Sequence, residues 1–210
     1  MMQAWNVVLA MDSYIADPYW PELEEKITLE KKSGMNFQRS DAKRDATLLA
    51  YLEQQGMTMD DYRALAEKAA RPWYRIDDED ASSEIVIPRH QMSGALVQTC
   101  KVSPSSVIKK SWAENLRSML RISPMCTGKV KADRVWKRYV KGDQSNQRRL
   151  HSNEVIESFE AAGSVSFDPD VLKPATVEAL FRYVLVHVGI GACRKMGFGR
   201  GSLAELTEDR

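Results

Sequence analysis

Gly189-Ile190-Gly191-Ala192-Cys193-Arg194-Lys195-Met196-Gly197-Phe198-Gly199-Arg200-Gly201 is the stretch that decides how this chain is read. It gathers five of the chain's 11 glycines and three cations, Arg194, Lys195 and Arg200. Glycine reaches backbone angles closed to other residues and lets a second backbone approach closely. Amide N–H groups and cations on such a loop can converge on one phosphate. Gly191, Arg194, Lys195, Gly197, Gly199 and Arg200 are therefore candidate contacts to a nucleic acid. A helix C-cap and tight turn would account for Gly189 alone, but five glycines exceed what one cap needs.

The flanks fix the setting of the loop. Val177, Leu180, Phe181, Val184, Leu185 and Val188 recur at helical spacing, which predicts an amphipathic helix from Pro174 to Val188. Pro174 suits the first turn of that helix. Ser202-Leu203-Ala204-Glu205-Leu206 alternates as a short strand. The order helix, loop, strand is neither a Rossmann fingerprint nor a P-loop, both of which follow a strand and open a helix.

The 210 residues suffice for one domain with an insertion or for two small domains, and the whole chain, 1–210, is read as the former. No apolar run is long enough to span a membrane, and the start resembles no signal peptide. Cys100, Cys126 and Cys193 are scattered, with no CxxC pair, so neither a disulfide framework nor a zinc site is expected. These features point to a soluble, cytoplasmic protein without metal or cofactor.

The net charge of +1 conceals an asymmetry. Met1 to Val97 carries 17 acidic and 11 basic residues, Gln98 to Leu150 carries 3 and 13, and His151 to Arg210 carries 9 and 6. A mid-chain block this basic is the electrostatic footprint of a polyanion partner. Its densest part, within 128–150, reads as a strand or hairpin arm, with Val130, Ala132 and Arg134 on one side and Lys129, Lys131, Asp133, Val135 and Lys137 on the other. Trp136 and Tyr139 alternate with Lys137 and Arg138, a pairing of stacking surface and charge that suits single-stranded nucleic acid. The competing reading is a basic edge strand whose lysines discourage aggregation, with Trp136 in the core. Gly142 to Arg149, which includes Arg148 and Arg149, reads as a flexible polar loop.

In the N-terminal half, Ala4 to Met11 predicts a largely buried strand. Asp41 to Gln55 and Met59 to Ala70 predict two helices broken at Gly56, with Thr58 and Asp61 as a capping box. Six acidic residues against five basic ones in 41–71 argue against a helix-turn-helix reader of DNA and for a helical insertion, 38–72, packed on a sheet or a neighbouring subunit. The run Asp77-Asp78-Glu79-Asp80 reads as a solvated acidic loop rather than a metal site.

Glu84 to Ile87 reads as a strand ending at Pro88, and a Ser93-Gly94-Ala95 step leads into a helix. Ile87-Pro88 followed by Gly94-Ala95-Leu96 resembles the "IPG-S-S-(I/L)-KG-x-(L/I)-R" segment of the RAMP superfamily, the RNA-binding proteins that build the backbones and processing subunits of CRISPR effector complexes. The glycine-rich stretch is similar to that superfamily's loop, "G-x-G-x-x-(R/K)-x-x-G-(F/Y)-G-R". The resemblance covers chiefly Ile85 to Val97 and Ser164 to Leu206. Where the first motif has serines and a lysine, this chain has Arg89, His90, Gln91 and Ser93. The resemblance implies an α+β, ferredoxin-like (RRM-like) fold: an antiparallel sheet, helices on one face, and an insertion reaching out as a thumb. It also implies a subunit that holds single-stranded guide RNA among other protein subunits.

Two rival readings stand beside it. Metal-independent RNA cleavage needs a base for the 2′-hydroxyl proton, for which His90 and His151 are the candidates, neither with a recognisable partner in sequence. His187 falls within the predicted helix as a partly buried residue. The other rival is a RAMP-like interaction module that takes a subunit's place in a complex or inhibits it.

Overall fold

A computed structural model describes residues 1–16, 20–104, 106–141 and 148–209. The chain divides into two compact units, Pro18–Pro72 on one side and Met1–Asp17 with Trp73–Arg210 on the other.

The smaller unit is helical. α1 (Pro21–Ser33) opens with proline in its first turn, carries Glu22 and Glu24 there and Lys31 and Lys32 in its last turn, and stops at Gly34 with φ 74°. That charge order complements the helix dipole. α2 (Asp41–Gln54) and α3 (Met59–Ala69) lie where the sequence puts two helices. The capping box is present: Thr58 N–H donates to Asp61 Oδ2 at 2.8 Å, and Asp61 N–H donates to Thr58 Oγ1 at 3.1 Å. Leu29, Leu48 and Leu52 form the core of this unit, with Tyr51, Tyr62 and Leu65 packed around it. α1 has no counterpart in the sequence reading, because only Leu29 among its residues is buried and no apolar stripe announces it.

The larger unit is an antiparallel sheet with helices on one face. Its strands are β1 (Gln3–Tyr14), β2 (Val86–Ile87), β3 (Leu120–Ile122), β4 (Met125–Cys126), β5 (Arg134–Lys141), β6 (Arg148–Phe167) and β7 (Gly201–Glu208). The order is β2-β4-β6-β1-β7, with β3 and β5 pairing on β6. β1 is followed by the helical unit and β2; α4 (Arg89–Val102) and α5 (Trp112–Met119) then connect β2 to β3, and α6 (Pro174–Tyr183) connects β6 to β7. With β3 and β4 counted as one interrupted strand, this is the split β-α-β arrangement of the ferredoxin-like fold. Among the described residues the protein is thus α+β, as the sequence predicts.

Alternation explains the sheet's two faces. Val7, Leu9 and Met11 of β1 and Ala161, Val165 and Phe167 of β6 join Met92, Leu96, Leu116, Val177, Leu180 and Phe181 of the helices in one core. Each large apolar side chain buried there contributes roughly 1.5–3 kcal/mol. Asn6, Asp12, Glu160, Ala162, Ser202 and Glu205 lie on the strands with exposed side chains.

Three boundaries differ from the sequence reading. α4 begins at Arg89, with Pro88 in the extended N-cap position, so the Ser93-Gly94-Ala95 step lies inside the helix. The strand expected from Lys129 begins only at Arg134, because Lys129 folds back onto Asp133, its Nζ 3.0 Å from the carboxylate. Arg148 and Arg149 stand at the start of β6, opposite Lys141 and Val140, rather than in a loop. The expected flexible loop otherwise falls on 142–147, outside the described residues.

Candidate nucleic-acid interface

The glycine-rich segment begins where α6 loosens. Val184–Val188 continues the helix as a π turn, and Gly189 N–H closes it on the Val184 carbonyl at 2.6 Å. The segment is then clamped onto the end of β1. Ala192 N–H donates to Ile15 O (2.8 Å), Gly199 N–H to Ser13 O (2.9 Å), and Ile190 N–H to Gly199 O (3.0 Å). Gly189, Gly191, Gly197 and Gly199 all have positive φ, as does Cys193. A side chain at Gly199 would strike the Ile190 backbone, one at Gly191 the Ile15 carbonyl and the Tyr14 ring, and one at Gly201 the Ala10 carbonyl. Gly197 has open space around it.

This corrects the chemistry expected of the loop. The amides of Gly189, Ile190, Ala192, Met196, Gly197 and Gly199 are committed to carbonyl oxygens of the protein itself. Most of the glycines therefore serve close backbone packing. What the loop offers outward is its tip, where Arg194, Lys195, Met196 and Gly197 are exposed on and just after a 3-10 turn (Arg194–Met196).

The arm is the ladder of β5 on the first part of β6, from Arg134↔Val155 to Lys141↔Arg148. Its inner face packs on the loop. The Trp136 and Phe198 rings meet at 4.9 Å, and Ile15, Val155, Phe198, Trp136, Ala192 and Cys193 make a small second core. Arg138 lies 5.3 Å over Trp136, with Nη1 3.3 Å from Met196 Sδ. Arg138 Nε and Asn153 Oδ1 are buried atoms without a hydrogen-bond partner among the described residues. The outer face presents Tyr139 (71% exposed), Val135 (53%), Leu150 (52%) and exposed Lys137. It is pinned near its base by buried Trp73, whose Nε1–H donates to Glu154 at 2.6 Å. Trp136 is thus a packing residue, and Tyr139 is the exposed aromatic.

The basic residues separate into two groups. Lys129 pairs with Asp133 (3.0 Å), Arg134 pairs with Glu157 (2.8 Å), and Arg200 donates to the Val186 carbonyl. Asp133 also accepts Glu157 N–H at 2.8 Å; that hydrogen bond and Lys129 hold its carboxyl below the usual value, with a smaller contribution from Lys131. Lys137, Arg194 and Lys195 have no carboxylate partner among the described residues. Arg148, Arg149 and His151 belong to the β6 side of the arm, with His151 opposite Arg138.

The other chemical candidates lie apart from this junction or have no role in it. His90, on the first turn of α4, has its ring edge-on to Tyr74 at 5.1 Å, and partial burial lowers its pKa from the ordinary 6.5. His187 is exposed beside Tyr183, at 4.5 Å, rather than partly buried, because it sits on the widened π turn. The Asp77–Asp80 run folds on itself: Asp77 and Asp80 carboxylates accept the N–H groups of Glu79 and Ser82. No cluster of His, Cys, Asp and Glu fit for a metal ion occurs among the described residues, and none of their helices is long and apolar enough to cross a membrane. Sequence reasoning missed Phe198, the anchor of the arm; its place between two glycines was the available signal. It also missed Tyr14, whose ring underlies Gly191 and whose hydroxyl donates to Gln91 Oε1 at 2.6 Å, joining the loop to the first turn of α4.

The fold and this junction define a ferredoxin-like α+β protein with a basic two-stranded arm seated on a glycine-rich loop. No protein-family model and no curated protein matches the chain. Among solved structures it is similar to a chain in the cryo-EM structure of the type III-B Cmr-beta bound to cognate target RNA, with a TM-score of 0.53 and 10% identity. The match covers 100% of this chain and 61% of the other, so this chain spans about three-fifths of its neighbour's length.

Proposed function

We propose that this protein is an RNA-binding subunit of a CRISPR-type ribonucleoprotein, holding single-stranded guide RNA along the loop tip and the arm. The observation that carries the reading is the junction itself. Trp136 and Phe198 fasten arm to loop, and the surfaces so joined present Lys137, Arg194 and Lys195 without carboxylate partners, beside exposed Tyr139. Phosphates would take the cations, and a base would stack on Tyr139. The likeness to a chain from an RNA-bound type III-B structure supports the same reading. Binding is preferred to cleavage in this reading, because neither His90 nor His151 has a recognisable partner in the sequence.

The test is the salt dependence of affinity for a single-stranded RNA. Three cations neutralising about three phosphates give a log–log slope near −2. Arg194→Ala/Lys195→Ala is expected to flatten that slope by about 1.4 and weaken binding roughly tenfold or more. An unchanged slope in the variant would remove the loop from the interface. A second reading, a protein-contact module, draws on the exposed Val135 and Leu150 of the arm. It predicts retention of partner subunits without RNA.

A further inference from the structure

A second group of cations gathers away from the arm. Arg89, His90 and Ser93 of α4, Arg117 of α5 and Arg121 of β3 line a cleft of about 360 Å³, together with Leu120 and Ile122. The three arginines come from three different elements, and β3 pairs only with β6, which leaves its other edge without a strand. No Asp or Glu lines the cleft among the described residues. None of Arg89, Arg117 and Arg121 has an ion pair among them either. Ser93 Oγ–H donates to the His90 carbonyl, and its oxygen remains able to accept.

Three guanidiniums around one concavity repel one another, and an anion at the centre relieves that repulsion. Guanidinium forks match phosphate oxygens in bidentate geometry. Charge selects the kind of phosphate. A diester within a chain carries a single negative charge, whereas a monoester carries about −1.5 to −2 at neutral pH. Size and shape agree: the volume is at the small end of ligand pockets, roughly 300–1,000 Å³. A cleft of that size suits one nucleotide better than a continuous strand.

We infer that the cleft between α4, α5 and β3 binds a phosphate monoester of nucleotide size, from a free nucleoside monophosphate or from the phosphorylated end of an RNA. The site is independent of the arm and loop, and stands or falls separately from the function proposed above.

The experiment is calorimetric titration of the full chain with AMP and with adenosine. In parallel, RNAs of about ten nucleotides with 5′-phosphate, 3′-phosphate or only hydroxyl ends are titrated. The phosphorylated ligand is expected to bind at least about tenfold tighter than its hydroxyl counterpart, the scale of one or two charge-assisted hydrogen bonds. Arg117→Ala/Arg121→Ala is expected to abolish that preference while the affinity for hydroxyl-ended RNA stays within about twofold, since neither residue belongs to the arm. Arg117→Lys/Arg121→Lys keeps the charge and the fold but loses the forks, and is expected to recover only part of the preference. A preference for AMP over adenosine without an RNA-end preference supports the site and assigns the free nucleotide. A preference for one phosphorylated end without AMP binding supports it and assigns the RNA. Equal binding of phosphorylated and hydroxyl ligands in both series would overturn the inference. So would a preference that survives both arginine variants, or displacement of AMP by hexaglutamate at equal concentration.

Discussion

The flanks of the glycine-rich loop and its tip share one short segment and face opposite demands. At the flanks, Gly191, Gly199 and Gly201 press against the carbonyls of Ile15, Ile190 and Ala10, and the amides bond inward. At the tip, Arg194 to Gly197 is exposed, and Gly197 has open space where a side chain would go. One glycine-rich pattern therefore encodes a clamp and a presentation surface. The clamp fixes where the tip stands, and the tip leaves cations free to meet a partner. The arm repeats the division: its inner face, through Trp136, is part of the clamp, and its outer face carries Tyr139 and Lys137.

Substitutions at single glycines separate clamp from tip. The largest effect is expected at Gly199→Ala, where a Cβ meets the Ile190 backbone and the residue also holds φ +73°. A loss of more than about 3 kcal/mol in urea unfolding is predicted, from combined strain and overlap. Gly197→Ala, with φ +92° but open space, tests the other half. Only the left-handed penalty of roughly 1–2 kcal/mol applies there. Equal losses at the two positions would erase the distinction between clamp and tip. Phe198→Ala removes the partner of Trp136 and should cost about 2–4 kcal/mol, less than a central core phenylalanine, because the second core is small. Faster hydrogen exchange confined to the arm ladder would accompany it.

Smaller effects are expected at exposed positions and at His90. Lys137→Ala/Tyr139→Ala should leave stability within about 0.5 kcal/mol while weakening RNA binding roughly tenfold, since both are surface positions. The smallest effect concerns pH. The pKa of His90 is lowered in the folded state from 6.5 by burial, so the unfolded chain binds more protons just below that value. Its contribution is constant above 6.5, and stability declines as pH falls from there towards the folded pKa. His90→Asn should flatten that part of a stability–pH profile; an unaltered profile would contradict a desolvated imidazole.

Much of the fold was legible because periodicity and caps are local. The stripe from Val177 to Val188, the Thr58–Asp61 box and the apolar run of β1 each announce themselves within a few residues, although β1, read as largely buried, in fact alternates between buried and open faces. α1 did not, since a helix with one buried side chain has no stripe to read. The site was legible in its residue types and less so in their roles. Nothing local says that the loop amides turn inward, that Trp136 finds Phe198, or that Arg134 finds Glu157. Trp136 and Phe198, like Arg134 and Glu157, stand 23 or more positions apart, and tertiary packing alone creates those contacts. The cleft of Arg89, Arg117 and Arg121 was hidden for the same reason: three arginines spread over three elements look unrelated in sequence.

In the proposed function RNA lies on the loop tip and the outer face of the arm. Photocross-linking of a 4-thiouridine-substituted single-stranded RNA, followed by peptide mapping, tests it most directly. Cross-links at Tyr139 and on the peptide carrying Arg194 to Gly197 are the predicted result. Cross-links confined to Asn6, Asp12 and Ala162 on the open side of the sheet, with none on arm or loop, would contradict it.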